Sequence, residues 1–372
     1  MKEIRKIIAE YDKIDHSVDK VALASVVDVQ ASSYRRIGAR MLVQGNGIWT
    51  GGISGGCLEG DALIKSQKAI YQGKPSTVVY DTMDDDDNEI GVGLGCNGRI
   101  EVLLNPIDPN QANNEIEILR KIKDDTEANI VLKVVAHPDA ELLGQMKQVN
   151  AVDDIEEFAG LTKEDIKADF EKVIDKKKAI LFEYKKESGT VKLLIEFIRP
   201  ETRLIIAGDN YDIYAMLGIA NELGWKSSII GKAKKLSKKA YQMAERVLDY
   251  DDADSLNINE YTAILLMTHD YKKDLNLLSL FMKKNPAYMG ILGPKKRFLK
   301  LQNDIGKDLS EYSFLHSPTG LEIGAESPEE IALSICSEIV AEMRDKKGGS
   351  LHEKEGTIHD RDCRKKQLYI AL

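Results

Sequence analysis

Apolar residues in the opening stretch recur at helical spacing. Ile4, Ile7, Ile8 and Tyr11 share one face of MKEIRKIIAEYDKI, which predicts an amphipathic helix. The period then changes. From Lys20, VALASVVDVQ is a β-rich apolar run, and the polar, arginine-bearing ASSYRRIGAR follows it. MLVQGNGIWTGG reads as a hairpin, because Gly45-Asn46-Gly47 sets turn residues between two short apolar runs. Leu58, Ala62, Leu63, Ala69 and Ile70 fit one helical face that ends near Gly73-Lys74-Pro75. STVVYDTM and RIEVLLNPI are strand-like, with Asp84 to Asp87 and the glycine-rich GVGLGCNG between them. Further on, IVLKVVAH and KAILFEY bracket a charged, helix-prone stretch, and TVKLLIEFIRP is a third strand.

Arg199-Pro200-Glu201 reads as a linker, and beyond it strand and helix patterns alternate. RLIIAG is a buried-type strand, and Ile213, Met216, Leu217, Ala220 and Leu223 form a helical stripe stopped by Gly224. KSSIIG, TAILLMT and AYMGILG are further strands, the last two followed by helical patterns. Such alternation predicts a parallel sheet with crossover helices. The expected organisation is α/β: an α+β domain over 1–200, a parallel-sheet domain over 201–345 and a polar C-terminal tail over 346–372. No internal repeat is evident.

Charge and cysteine usage narrow the partners. The 372 residues carry 52 lysines and arginines against 61 aspartates and glutamates, a net charge of -9. That balance argues against general binding to nucleic acid or to membrane surfaces. No apolar run approaches the length of a membrane span, and the N-terminus lacks a signal-peptide core. The four cysteines, Cys57, Cys96, Cys336 and Cys363, form no CxxC pair, and there is no HExxH. A zinc site and a disulfide framework are therefore not expected, and the reducing cytoplasm is the expected compartment.

Several segments carry candidate chemistry. In Ser54-Gly55-Gly56-Cys57-Leu58-Glu59, a cysteine in the first turn of the following helix would meet free amides and the positive end of the helix dipole. Both favour an anion there and a more nucleophilic or softer-metal-binding thiol, while successive glycines suit an amide nest. The alternative is that Cys57 is a small core residue and the glycines only turn the chain. Gly95-Cys96-Asn97-Gly98 is a second glycine-cysteine segment, able to converge on the same ligand or to pair with Cys57 in a reversible disulfide. Arg35, Arg36 and Arg40 have the fork that suits phosphate, although a solvated face is the plainer reading of each.

The remaining segments lie where strands end. Gly208-Asp209-Asn210 and the following Tyr211-Asp212 occupy the strand-to-helix turn at which dinucleotide folds place a phosphate loop. The fingerprint is altered, with Asn210 at the second glycine and Ile213 at the third. The second strand ends in Gly231-Lys232 where an acidic residue would hold a ribose, and Lys232, Lys234 and Lys235 would favour a phosphate there. His269-Asp270 and Gly293-Pro294-Lys295-Lys296-Arg297 follow two later strands. All these loops belong to one rim, where His269 is a candidate acid, base or metal ligand.

Gly38-Ala39-Arg40-Met41, Ser54-Gly55-Gly56-Cys57-Leu58-Glu59 and Gly95-Cys96-Asn97-Gly98 resemble the N-terminal region of the XdhC/CoxI family. MTHDYKKD, YMGILGPKKR and SPTGLEIGAESPEEIALSI resemble its C-terminal, Rossmann-like domain. The matches span nearly the whole chain in the family's order, and the stretch 110–200 carries no such motif. The resemblance implies an accessory factor, more a binder than a catalyst. It would bind the molybdenum cofactor, a molybdopterin, as cargo, protect it during sulfuration and deliver it to a molybdenum hydroxylase such as xanthine dehydrogenase. It further implies a sulfur donor of the cysteine desulfurase type as a partner, and a homodimer. Carried onto this chain, the cofactor-binding set is Arg40, Ser54, Gly55, Gly56, Cys57, Glu59, Cys96, Gly208, Asp209, Asn210, His269, Asp270, Gly293, Lys295 and Arg297. By the same resemblance Cys57 would meet the molybdenum or the sulfur chemistry, and Cys57 and His269 are the candidates for any catalysis. Two alternatives stand beside it: an NADP-type oxidoreductase on the second domain, with NAD(P) as cofactor, and a thiol redox or sulfur-relay protein using Cys57 and Cys96.

Overall fold

The computed structural model describes residues 1–31, 33–81 and 98–355. The segment holding Asp84 to Asp87 and Cys96, together with Cys363 and the end of the tail, lies outside the described residues. The chain divides into two compact units, Glu3–Arg199 and Pro200–Gly349.

The first unit begins with helix α1 (Lys2–Tyr11), which buries Ile4, Ile7, Ile8 and Tyr11 as the periodicity predicts. Strands β1 (Val21–Ala31), β2 (Arg40–Gln44) and β3 (Trp49–Gly51) follow, then helix α2 (Glu59–Gln72) and strands β4 (Ser76–Asp81) and β5 (Gly98–Ile107). These strands form an antiparallel sheet in the order β3-β2-β1-β5-β4. The β2–β3 hairpin turns at Gly45-Asn46-Gly47, where Asn46 Oδ1 accepts the Ile48 amide at 2.9 Å. Helix α2 ends at Gly73, whose φ of 64° is the left-handed cap that glycine supplies without strain. Its apolar face packs Leu58, Ala62 and Ala69 onto Val26, Met41 and Val102 of the sheet.

Helix α3 (Glu115–Ile122) leads to a second antiparallel sheet. Its strands β6 (Asn129–Ala136) and β7 (Met146–Val149) are followed by the short pair β8 (Glu157–Phe158) and β9 (Leu161–Thr162). Helix α4 (Lys163–Lys176) and strands β10 (Ile180–Lys186) and β11 (Gly189–Ile198) complete the unit. The sheet order is β10-β11-β6-β7. Thr162 caps α4 in a reciprocal box with Asp165, and Ile166, Phe170 and Val173 of α4 cover the sheet.

A charged cluster holds the interior of this unit together. Arg40 Nη2 donates to Glu196 Oε2 at 2.6 Å and Nη1 to the Gly38 carbonyl at 2.7 Å. Glu115 pairs with Lys133, accepts from Ser25 Oγ at 3.2 Å and lies 3.5 Å from Arg40 Nε. All five side chains are buried. Two positive and two negative charges therefore neutralise one another away from water, across both sheets and α3. Burial pushes the Glu115 carboxyl upward, but Lys133 and Arg40 overturn that and hold it below the usual carboxylate range.

The second unit is the alternating fold. Its elements are β12 (Arg203–Ala207), α5 (Ile213–Leu223), β13 (Lys226–Ile230), α6 (Lys238–Met243), β14 (Arg246–Leu248), β15 (Thr262–Leu266), α7 (Tyr271–Phe281), β16 (Tyr288–Ile291), α8 (Lys295–Ile305), β17 (Leu315–His316) and α9 (Pro328–Glu342). Every pairing in its sheet is parallel, in the order β14-β13-β12-β15-β16-β17. This is the 3-2-1-4-5-6 order of a Rossmann fold. Helices α5 and α9 cover one face of the sheet, and α7 and α8 the other. Strands β14 and β17 are only three and two residues long, too short to leave an apolar run in the sequence. No helix among the described residues is long and apolar enough to cross a membrane.

Candidate functional site

The glycine-cysteine loop of the first unit is organised by its own acid. Glu59 opens α2, and its carboxylate turns back into the loop. Oε1 accepts the amides of Ile53 at 3.1 Å and Ser54 at 2.8 Å, while Oε2 accepts the Ser54 hydroxyl and the Leu58 amide. Ser54 Oγ in turn accepts the amides of Gly56 at 3.2 Å and Leu58 at 3.1 Å. Burial acts to raise the Glu59 carboxyl, but these donors hold it below the usual carboxylate range. The nest that the glycines suggest is thus filled by a side chain of the same segment.

What the loop leaves open is its outer face. Cys57 is exposed and lies two residues before α2, which corrects the expectation of a thiol inside the first helical turn. Helix α2 starts at Glu59, and the Leu58 amide just before it is held by Ser54 and Glu59. Gly56 has a φ of 112° with open space where a side chain would be, a conformation that favours glycine. The amides of Gly55 and Cys57 have no acceptor among the described residues. Tyr34 lies against Gly55 so closely that a Cβ there would come within 3.3 Å of the ring, yet the residue is 74% exposed. Thiol, free amides and one open aromatic face therefore share a surface.

In the second unit, the turns after β12 and β15 meet at the point where the sheet order reverses. His269 Nε2 lies 2.7 Å from Asp212 Oδ2, and its backbone φ of 56° is left-handed, a rare state for a side-chain-bearing residue. The flanking residues fix it. Thr268 Oγ1 bonds Asp274 Oδ1 at 2.6 Å and accepts the Asp270 amide at 3.1 Å. Arg297 donates to the other oxygen of Asp274, which is almost fully buried. Asp270 caps α7 by accepting the amides of Lys272 and Lys273. Asp212 Oδ1 is buried without a partner among the described residues.

Comparison with known proteins agrees with this division. Residues 204–339 match the model of the XdhC Rossmann domain, and residues 16–81 match that of the XdhC and CoxI family. Between them the two matches span more than half of the chain.

The chain belongs to the XdhC and CoxI family.

Among its relatives is a protein of Bacillus subtilis (strain 168) named as a probable subunit of xanthine dehydrogenase, 25% identical over 88% of this chain and 95% of that protein. The molybdenum cofactor insertion chaperone PaoD of Escherichia coli (strain K12) is 23% identical over 90% of this chain and 84% of its own length. A crystal structure of a xanthine dehydrogenase (BH1974) from Bacillus halodurans superposes with a TM-score of 0.68 at 27% identity, covering 93% of this chain and 98% of that one.

Against this XdhC and CoxI framework the expected site residues separate. Ser54, Gly55, Gly56, Cys57 and Glu59 form one loop, with Ser54 and Glu59 shaping it and Gly55, Gly56 and Cys57 facing out. Arg40 is not part of that face: its guanidinium is spent on Gly38 and Glu196 inside the unit. Cys96 lies outside the described residues. Gly208, Asp209, Asn210, His269 and Asp270 gather at one sheet edge, but Asp209 is turned into the protein. Arg297 braces Asp274 instead of facing an anion, and Gly293 lies close to it, at φ 135° with a Cβ position 3.0 Å from Arg297 Cδ. Lys295 opens α8 and is exposed. Lys235 is paired with Asp209 at 2.9 Å, which corrects the expectation of a free phosphate ligand. Sequence reasoning missed Tyr34, and it named the turn that holds Asp212 without the pairing of that side chain to His269. Tyr34 stood in a polar loop with no periodic signal; Asp212 was visible beside Asn210, but its partner lies 57 residues away.

Proposed function

We propose that the chain is a carrier of the molybdenum cofactor that holds its cargo on the outer face of the Cys57 loop. In this reading it shields the cofactor during sulfuration and delivers it to a molybdenum hydroxylase such as xanthine dehydrogenase. The observation that carries the reading is the shared surface of an exposed thiol, two unengaged amides and an open aromatic face. A thiol is a soft ligand matched to a metal bound by dithiolene sulfur, free amides suit the cofactor's phosphate, and an open ring suits a planar pterin. The family membership and the name of the PaoD relative point the same way. A sulfur donor of the cysteine desulfurase type and a second copy of the chain are the partners this role calls for, and the cytoplasm is its compartment.

The test is anaerobic mixing with molybdenum cofactor, followed by gel filtration and measurement of bound molybdenum and of oxidised-pterin fluorescence. Stoichiometric retention by the wild type, lost in Cys57→Ala and weakened at least five-fold in Tyr34→Ala, is the expected result. Retention by both variants would move the cargo away from this loop. No retention by the wild type, while a known carrier retains cofactor in the same assay, would overturn the reading.

A second role rests on the left-handed His269 and its bond to Asp212. In it, His269 donates or accepts a proton for a ligand at the β12–β15 edge, with Asp212 orienting the ring. His269→Gln at unchanged cofactor retention, with loss of delivery to an apo-hydroxylase, would separate this role from carriage.

A further inference from the structure

The strand order of the second unit is that of dinucleotide-binding folds, so the fit of an NAD-type cofactor can be tested residue by residue. Such a ligand needs close backbone approach at the first turn, tight helix packing at its third glycine, and room for adenosine beside the end of the second strand. Asn210 stands at the second glycine, and the fully buried Ile213 at the third. The room beside β13 is filled as well. A Cβ on Gly231 would come within 2.9 Å of both the Gly208 carbonyl oxygen and Asp209 Cβ, so the turns after β12 and β13 touch backbone to backbone. Gly208 is equally close to the other neighbour, with a Cβ position 2.6 Å from the Met267 carbonyl oxygen. Its freedom from a side chain serves contact with the chain itself.

Asp209 locks this arrangement. Its side chain leaves the first turn and crosses to the second. There its carboxylate accepts the Lys232 amide at 3.0 Å and Lys235 Nζ at 2.9 Å, and the Tyr250 hydroxyl from the turn after β14 at 3.4 Å. The residue is only 5% exposed. A carboxylate that dinucleotide folds present to the ribose from the second strand here comes from the first turn and bonds to protein.

We infer that the second unit is a Rossmann fold closed to dinucleotides, with Asp209 as the internal stopper of its adenosine crevice. The full chain is titrated with NADH and NADPH, following nicotinamide fluorescence, and amide hydrogen exchange is measured over 231–236 in the wild type, Asp209→Ala and Asp209→Asn. The expected results are no saturable binding of either nucleotide up to millimolar concentration and exchange at least ten-fold faster in Asp209→Ala. Asp209→Asn, which keeps an acceptor for the Lys232 amide, should exchange within about three-fold of wild type. Saturable binding at micromolar nucleotide would overturn the inference, and so would exchange in a folded Asp209→Ala equal to that of the wild type. Neither readout involves the molybdenum cofactor, so failure here is distinct from failure of the carrier reading.

Discussion

The loop at Ser54 and the turn at Gly208 look alike in sequence. Each sets glycine before a helix, and each invites an anion to the helix N-terminus. In both, a carboxylate of the chain itself takes up backbone amides: Glu59 those of its own loop, Asp209 that of Lys232 beyond the next strand. The outcomes differ because the acids reach in different directions. Glu59 folds back into its own segment and satisfies the inner amides, which leaves Cys57, Gly55 and Gly56 facing outward. Asp209 reaches across to the neighbouring strand and draws two turns together, leaving no room between them. One carboxylate builds a surface and the other removes one. Arg40 is a third instance, a cation that a motif assigns to a ligand and that the interior has already engaged.

The largest expected effect tests that third instance. Arg40→Met leaves Glu196 buried without its partner, and removal of one member of a buried pair costs about 3–5 kcal/mol. Urea unfolding followed by circular dichroism should show this loss. A change under 1 kcal/mol would mean that the arginine is not engaged in the interior and is available to a ligand. Next come the two acids. Glu59→Ala orphans the amides of Ile53 and Ser54 and weakens the satisfaction of Leu58, whereas Asp209→Ala orphans the single amide of Lys232. At 1–3 kcal/mol for each buried unsatisfied group, the first should cost about 3 kcal/mol and the second about 1–2 kcal/mol. The reverse order in the same denaturation series would break the comparison.

Gly56→Ala should cost about 1–2 kcal/mol, because its φ of 112° strains any side-chain-bearing residue even though the space is open. Gly60→Ala, within α2 and equally open, should instead be neutral or slightly stabilising, and thermal melts of the pair would show the split. The smallest effect is in pH. Glu59 and Asp209 are both held below the ordinary carboxylate range. The stability each contributes is therefore complete above that range, near pH 4, and is lost as pH falls through it toward the lowered value. Glu59→Gln and Asp209→Asn should each flatten the acid limb of a stability-versus-pH curve; an unchanged slope would mean that the carboxylates titrate normally.

Much of the scaffold was legible because its signals are local. The α1 stripe, the hairpin at Asn46, the Gly73 and Gly224 stops and the strand-helix alternation after Pro200 all reside in windows of about a dozen residues. The short strands β14 and β17 were not legible, since their place is set by pairing with neighbours. The candidate site was legible only in part for a related reason. Motifs report which side chains are available in principle, while the partner that consumes one lies elsewhere in the chain: Glu196 for Arg40, 156 residues away, and the Lys232 amide for Asp209, 23 residues away. Glu59 closing on Ser54, five residues apart, was within reach of sequence reasoning. Tyr34 was not, because nothing in a polar loop announces a ring resting on a glycine.

The buried quartet of Arg40, Glu115, Lys133 and Glu196 also constrains how this chain can diverge. Its four charges come from four separate elements and sum to zero, so a change of sign at one position is tolerable only alongside a compensating change at another. Across relatives these positions should drift as a single inherited unit, switching together to an apolar set or to a swapped ion pair. The open residues around Cys57 carry no such charge balance, and what limits each of them is its own backbone or contact, as with the φ of 112° at Gly56.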